Sequence, residues 1–390
     1  MTSEPSEGAL HGIKVIEMGG PPGSFGSMFL ADHGAEVLRV ARPGVGASVG
    51  ATVGLTRGLP LDRGKRAVSL DLNRPIGVQL LRELVGRADV FIEGFRPGVA
   101  ERLGVGPVEC LTDNPKLVYA RMTGWGQDGL WSSRAGHDIN YVALSGSLHT
   151  VGANDGPPVV PLNYLGDWAG GLLLAFGITA ALHAVGTTGR GQIIDCAMLD
   201  SAAILAAVAH AGVSNGYWTD ARASNMTDGG TPYYSVYETA DGKYVAVGAL
   251  EPKFYDALIT RMGLGGEDLP QQFDVACWED IRARFAETFR TKSRAEWVAI
   301  MDGVDSCFAP VLSLTEAWAH PHNVSRQTFV DYEGTMQPAP APRLSATPAA
   351  IRPWAECDVP LVASLASWGF GRDRVESLIN QGAIAAAPVT

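Results

Sequence analysis

The chain has 390 residues, of which 46% are hydrophobic and 18% charged, with a formal net charge of −11. Such a chain buries a large core, has room for two domains, and is not disordered. Its acidity excludes nucleic acid as an expected partner, although a local basic patch can still take a small anion.

The opening MTSEPSEGALHG is acidic and polar, unlike a signal peptide. Ile13–Glu17 is a short β-like run ending in GGPPGSFG; an apolar helix follows to about His33, and Ala35–Val40 is a second strand. A strand–helix–strand opening favours a parallel sheet. Further strands are expected at Ala67–Asp71, Asp89–Glu93 and Leu117–Met122, with helical segments between them. Gly166–Val185 and Met198–Tyr217 read as long buried helices around a strand-like Gly191–Asp195. The apolar run Gly171–Val185 contains His183 and is too short to span a bilayer. Residues 1–217 thus form one α/β domain, and the polar stretch 218–231 is a linker.

Pro232–Ala249 reads as a hairpin turning at Asp241-Gly242. Helices follow at Glu251–Gly263 and Trp278–Phe289, and Ser293 with Glu296 is a capping box that opens another. Residues 232–311 make a smaller α+β domain. Residues 312–390, with QPAPAPRLSATPAA, read as an extended segment returning to the large domain. The five cysteines, Cys110, Cys196, Cys277, Cys307 and Cys357, include no CxxC pair, so reduced thiols in a soluble, cytoplasmic protein are expected.

The first loop, Gly19–Gly26, lies where dinucleotide folds bind phosphate, but it is not GxGxxG, and two prolines remove N–H donors from it. A structural tight turn and a ligand contact remain equal readings. The second strand runs towards Arg42, with no acidic residue for a ribose hydroxyl, which weakens a nicotinamide reading. Arg39, Arg42, Arg63, Lys65, Arg66, Arg96 and Arg102 form a basic set in an acidic chain. Each alone is a surface residue at first sight; together they suggest a phosphate-rich ligand.

His137 in GHDINY and Asp167 in NYLGDWAGG each sit beside a glycine and before a helix-like run. Ionisable groups placed there feel the positive helix end and its free N–H groups. They could serve as two proton carriers on opposite sides of one substrate carbon. The plainer alternatives are a structural histidine and an N-cap aspartate. Asp138 could cap the helix or orient a ring. Glu251, before Pro252, is by itself only a first-turn acid.

Taken in order, GIKVIEMGGPPG, LADHGAEVLRVARPG, RGKRAVSLDL, FIEGFRPGVAERLG, ARMTGWGQDG, AGHDINY, NYLGDWAGG, GRGQIIDCAMLDS and the stretch through GALEPKFY resemble the α-methylacyl-CoA racemases. These belong to the family III CoA-transferase superfamily. The likeness runs from about residue 10 to 345. It implies a Rossmann-like large domain and a smaller α+β domain, in a homodimer of two chains threaded like linked rings. It implies an isomerase of lipid metabolism acting on acyl-CoA, with CoA as part of the substrate and no cofactor or metal. By position it makes His137 and Asp167 the proton-transfer residues, Glu251 the carboxylate paired with the histidine, and Asp138 their neighbour. It puts CoA against Arg42, against Leu70, Asp71, Leu72 and Asn73, and against Ala135, Gly136, Ile139 and Asn140 around the histidine. Arg96 and Arg102 join this expected CoA set. Asn73 departs from the pattern, since relatives often carry a basic residue there. The rival readings are a CoA-transferase with Asp167 as nucleophile, an NADPH-dependent oxidoreductase, and a non-catalytic acyl-CoA binder.

Overall fold

A computed structural model describes residues 8–43, 59–352 and 361–384. The chain separates into two compact units: residues 1–145, 162–205 and 329–390 form the first, and residues 146–161 and 206–328 the second. The sequence boundary at 217 therefore differs from the structural one. The stretch 146–161 joins the second unit because Arg222 donates to the carbonyls of His149 (3.1 Å) and Ala153 (3.1 Å).

The first unit is built on six strands: β1 (Lys14–Met18), β2 (Glu36–Ala41), β3 (Lys65–Ser69), β4 (Val90–Glu93), β5 (Val118–Thr123) and β6 (Gln192–Ala197). They run in the order β3-β2-β1-β4-β5-β6, every pairing parallel. This is the doubly wound order of Rossmann folds. β3 begins two residues earlier than expected. The helices are α1 (Pro21–Asp32), α2 (Pro75–Val85), α3 (Val99–Arg102), α4 (Pro107–Asp113), α5 (Asp138–Leu144), α6 (Ala169–Thr188) and α7 (Met198–Leu205). The expected long helix after β6 is broken at Ala206; nothing in the local sequence explains the break.

Side chains alternate across the sheet, so both faces are buried. Val15, Val37, Val90, Ile92 and Val118 face α1 and α6. Ile16, Leu38, Val68, Phe91 and Tyr119 face the other side, against Leu80, Leu81, Leu84 and Val85 of α2. α1 and α6 touch through glycine. A Cβ on Gly171 would lie 2.6 Å from the Pro22 carbonyl oxygen, and one on Gly26 would lie 2.8 Å from that of Gly171.

α6 continues a π-helical turn, Tyr164–Trp168, to give 25 helical residues, long and apolar enough to cross a membrane. This corrects the shorter run read from the sequence. Length is not decisive here, because Ala169, Gly170, Gly171, Leu174, Ala175, Ile178 and Ala181 are buried in the unit.

Four of the seven basic residues make ion pairs within the unit, which narrows the anion-binding reading to Arg42, Arg96 and Arg102. Arg39 and Lys65 are buried against Glu17, which is fully buried in β1, with Lys65 Nζ donating to Glu17 Oε2 at 2.7 Å. Arg63 Nε donates to the buried Asp32 at 2.9 Å. Arg66 pairs with Glu36 at 3.5 Å. A charged group that close to a carboxylate inside the protein is committed to it.

The second unit holds α8 (Ala207–Asn215), the antiparallel sheet of β7 (Tyr234–Glu238), β8 (Tyr244–Gly248) and β9 (Phe308–Val311), and the helices α9 (Pro252–Arg261), α10 (Trp278–Phe289), α11 (Arg294–Met301), α12 (Leu314–Ala319) and α13 (Pro321–Arg326). Its core is aromatic, with Tyr233, Tyr237, Phe285, Phe289 and Trp297. Ser293 and Glu296 cap α11 reciprocally, as expected, and Ser313 and Glu316 do the same for α12. Gly263 follows α9 with φ +81°, which makes GLGG a helix end.

The tail corrects the reading of an extended segment. It carries the hairpin β10 (Phe329–Tyr332) and β11 (Thr335–Pro338), then α14 (Leu361–Ala366) and α15 (Arg372–Asn380). Leu365, Trp368, Phe370, Val375 and Leu378 complete the core on the α2 face of the sheet.

Candidate active site

In open α/β sheets, ligands bind beyond the carboxyl ends of the strands near the point where strand order reverses. Here a cleft of about 440 Å³ opens beyond β4 and β5. Gly94, Phe95, Arg96 and Pro97 line it after β4, and Thr123, Gly124 and Trp125 at the end of β5. Ser132, Arg134, Ala135, Gly136, His137, Asn140 and Tyr141 line it from the approach to α5. The β4 loop is held from below. Buried Glu93 accepts from Arg121 Nε at 2.7 Å and, through its other oxygen, from the Phe95 amide at 2.7 Å.

His137 is the N-cap of α5, with extended backbone (φ −129°, ψ 174°). The Asn140 side-chain oxygen accepts its amide at 3.0 Å, so the His137 corner is fixed while its ring stays exposed. Tyr141, buried one turn along, donates its hydroxyl to the Gly136 carbonyl and meets Trp125 edge-to-face at 4.7 Å between ring centres.

Asp167 lies in the π-helical turn that enters α6. Its Oδ2 accepts from Asn163 Nδ2 at 3.1 Å. Asp138 spans the two places. It is the first residue of α5, buried at 7% exposure, and its Oδ1 accepts the amides of Gly166 and Asp167, each at 2.8 Å. Burial pushes the Asp167 carboxyl above its ordinary value. The Asp138 charge pushes the same way, while the Asn163 amide and a charged His137 oppose. A carboxylate lifted like this is a stronger base than a free one.

The remaining expected residues divide. Arg42 is exposed just beyond β2, and Arg96 is exposed in the cleft wall. At the end of β3, Asp71 and Leu72 are half-buried and Asn73 exposed, whereas Leu70 is 1% exposed in the core. Its amide donates to the Ala41 carbonyl at 3.0 Å. Ala135, Ile139 and Asn140 are exposed around His137, and Gly136 is half-buried. Arg102 is exposed on α3 and is not among the residues lining the cleft. Glu251 belongs to the second unit. It is exposed, precedes Pro252 as the N-cap of α9, and accepts the Phe254 and Tyr255 amides through its carbonyl.

The sequence reading passed over Asn163, Trp125 and Tyr141. An Asn four residues before an Asp, at a helix entrance, was the available signal for the first. Among the described residues, no group of three or more His, Cys, Asp or Glu is arranged to hold a metal ion.

Comparison with known proteins adds four findings. A family model described as CoA-transferase family III matches residues 10–356. The chain is 45% identical to the α-methylacyl-CoA racemase of Mus musculus, over 95% of this chain and 96% of that one. It is 29% identical to the succinyl-CoA:glutarate CoA-transferase of Homo sapiens, over 83% and 76%. Among solved structures, Rv3272 from M. tuberculosis superposes with a TM-score of 0.75 at 26% identity, covering 90% of this chain and 96% of that one.

Proposed function

The chain belongs to the family III CoA-transferases, and from that premise we propose that it is an isomerase, a racemase interconverting (R)- and (S)-2-methylacyl-CoA thioesters. The observation that supports the reading is the link through Asp138, which follows His137 in the chain and whose side chain accepts the Asp167 amide at 2.8 Å. Inverting a carbon beside a thioester needs a base that removes the α-proton and an acid on the opposite face that returns one. The pair serves as base and acid in one direction and exchanges roles in the other. The enolate between the two steps needs preorganised donors at its oxygen. Imidazole suits near-neutral proton transfer, and burial lifts the Asp167 carboxyl above its ordinary value. Glu251 is proposed, from the family resemblance alone, as the carboxylate partner of His137. This chemistry calls for no metal or redox group.

The test is a 2-methylacyl-CoA in D₂O, following α-hydrogen exchange and loss of optical purity, with a free carboxylic acid present as acceptor. Racemisation with deuterium uptake and no CoA transfer is expected. CoA transfer without exchange would instead make Asp167 a nucleophile forming a mixed anhydride.

Arg42 is assigned to a CoA phosphate. Arg42→Ala is expected to weaken CoA binding by about 1.5–3 kcal/mol, the range for a hydrogen bond to a charged group. Removing the contacted phosphate costs the wild type more than the variant; equal losses would place Arg42 elsewhere.

The protein is proposed to work as a homodimer. Phe176 and Leu172 of α6 are 70% and 49% exposed, and Ile204 of α7 is 59% exposed, an apolar surface that a second copy would cover. Sedimentation across a dilution series is expected to show one dimeric species; a stable folded monomer would refute it.

A further inference from the structure

We propose that Asp138 is a positioning residue of this site: its buried carboxylate clamps the His137 corner to the turn bearing Asp167 and so sets the spacing of the two proton carriers. The proposal rests on the reading of His137 and Asp167 as those carriers.

Asp138 follows His137 directly, so its backbone moves with the histidine. One side-chain oxygen is engaged twice, by the amides of Gly166 and Asp167 at 2.8 Å each. The approach is closer than another residue at 166 would permit. A Cβ on Gly166 would lie 2.6 Å from that same oxygen. On the other side, Asn140 holds the His137 amide at 3.0 Å. The result is a short path from His137, through the peptide bond to Asp138 and its carboxylate, to the Asp167 amide, made inside a single unit. A carboxylate bonded to two main-chain donors and 7% exposed is poorly placed to carry a substrate proton. It is well placed to hold two groups that do. Displacement of a reacting group by about 1 Å can cost on the order of 10²-fold in rate.

Three variants test this: Asp138→Ala removes the acceptor, Asp138→Asn keeps an oxygen acceptor without the charge, and Gly166→Ala forces a methyl group into the clamp. Inversion kinetics with both enantiomers are read beside amide hydrogen exchange at residues 166 and 167. Asp138→Ala and Gly166→Ala are expected to lose about 10²-fold in kcat with little change in KM, and to lose amide protection at 166 and 167. Asp138→Asn is expected to keep that protection and recover much of the lost kcat. Asp138→Asn as inactive as Asp138→Ala, with its amides still protected, would make Asp138 a proton carrier and overturn the proposal. Wild-type kinetics in Asp138→Ala would overturn it equally. A wild-type protein that racemises nothing would sink the functional reading instead, while the exchange data would still decide whether the clamp exists.

Discussion

Replacing either His137 or Asp167 with alanine is expected to reduce inversion by about 10²–10⁴-fold, the usual worth of a positioned general acid or base. Inversion needs both groups, but exchange of the α-proton needs only one. Each variant is therefore expected to keep solvent exchange with the single enantiomer whose proton faces its surviving base. In D₂O, His137→Ala and Asp167→Ala should show opposite enantiomer preferences. Glu251→Gln should slow the His137 side more than the other. The transferase alternative gives a different pattern: Asp167→Ala abolishes CoA transfer, and His137→Ala changes nothing enantiomer-specific. A His137→Ala protein that racemises near the wild-type rate would end the two-base assignment.

The fold was largely legible because its signals are local. β1, β2, β4 and β5 are short apolar runs set between helical stretches, and their boundaries moved by a residue or so. β3 moved by two, and the hairpin β7–β8 announced itself by Asp241-Gly242, where Gly242 has φ +69°. What the sequence hid was pairing across distance. Arg39, Arg63 and Lys65 looked like ligand-binding cations because their acids stand far off, Glu17 being 22 residues from Arg39 and 48 from Lys65. The clue was the acid rather than the base: a glutamate at the end of an apolar strand needs a partner. The unit boundary was hidden in the same way. Residues 146–161 are polar and follow α5 without a break, and their ties to the second unit, such as those to Arg222 and Asp220, come from residues some seventy positions on. α14 and α15 did carry a readable pattern, with Leu365 and Trp368, then Val375 and Leu378, spaced three apart. The proline-rich stretch before them drew the reading towards extended chain. In the site, His137 and Asp167 stood out by their glycine neighbours. The work of Asp138 did not, because it depends on two amides 28 and 29 residues away.

The buried cluster under the first loop supplies the largest expected effect on stability. Glu17 is fully buried, and its carboxylate faces Lys65, Arg39, Ser24 and Ser27. Removing one partner of such a group leaves uncompensated charge in the interior, which costs about 3–5 kcal/mol. Glu17→Ala strands two cations, so its unfolding free energy from urea titration is expected to fall by that amount and its midpoint with it. Replacing the pair instead, as Glu17→Gln with Lys65→Met, strands only Arg39 and is expected to recover part of the loss. The same cluster makes stability depend on acid. Burial alone would raise the Glu17 pKa, but the Lys65 ammonium and Arg39 guanidinium outweigh it and hold the pKa at about 2, below the ordinary 4.5. A folded-state pKa below the unfolded one means that the unfolded chain binds the proton first. The stabilisation is therefore complete above about pH 4.5 and is lost as pH falls through 4.5 towards 2. Wild type should thus lose more stability than Glu17→Ala between pH 5 and pH 2.5, so that their midpoints converge in acid. Parallel midpoints across that range would show that Glu17 enters folding as a neutral acid and that Lys65 and Arg39 are balanced by other groups.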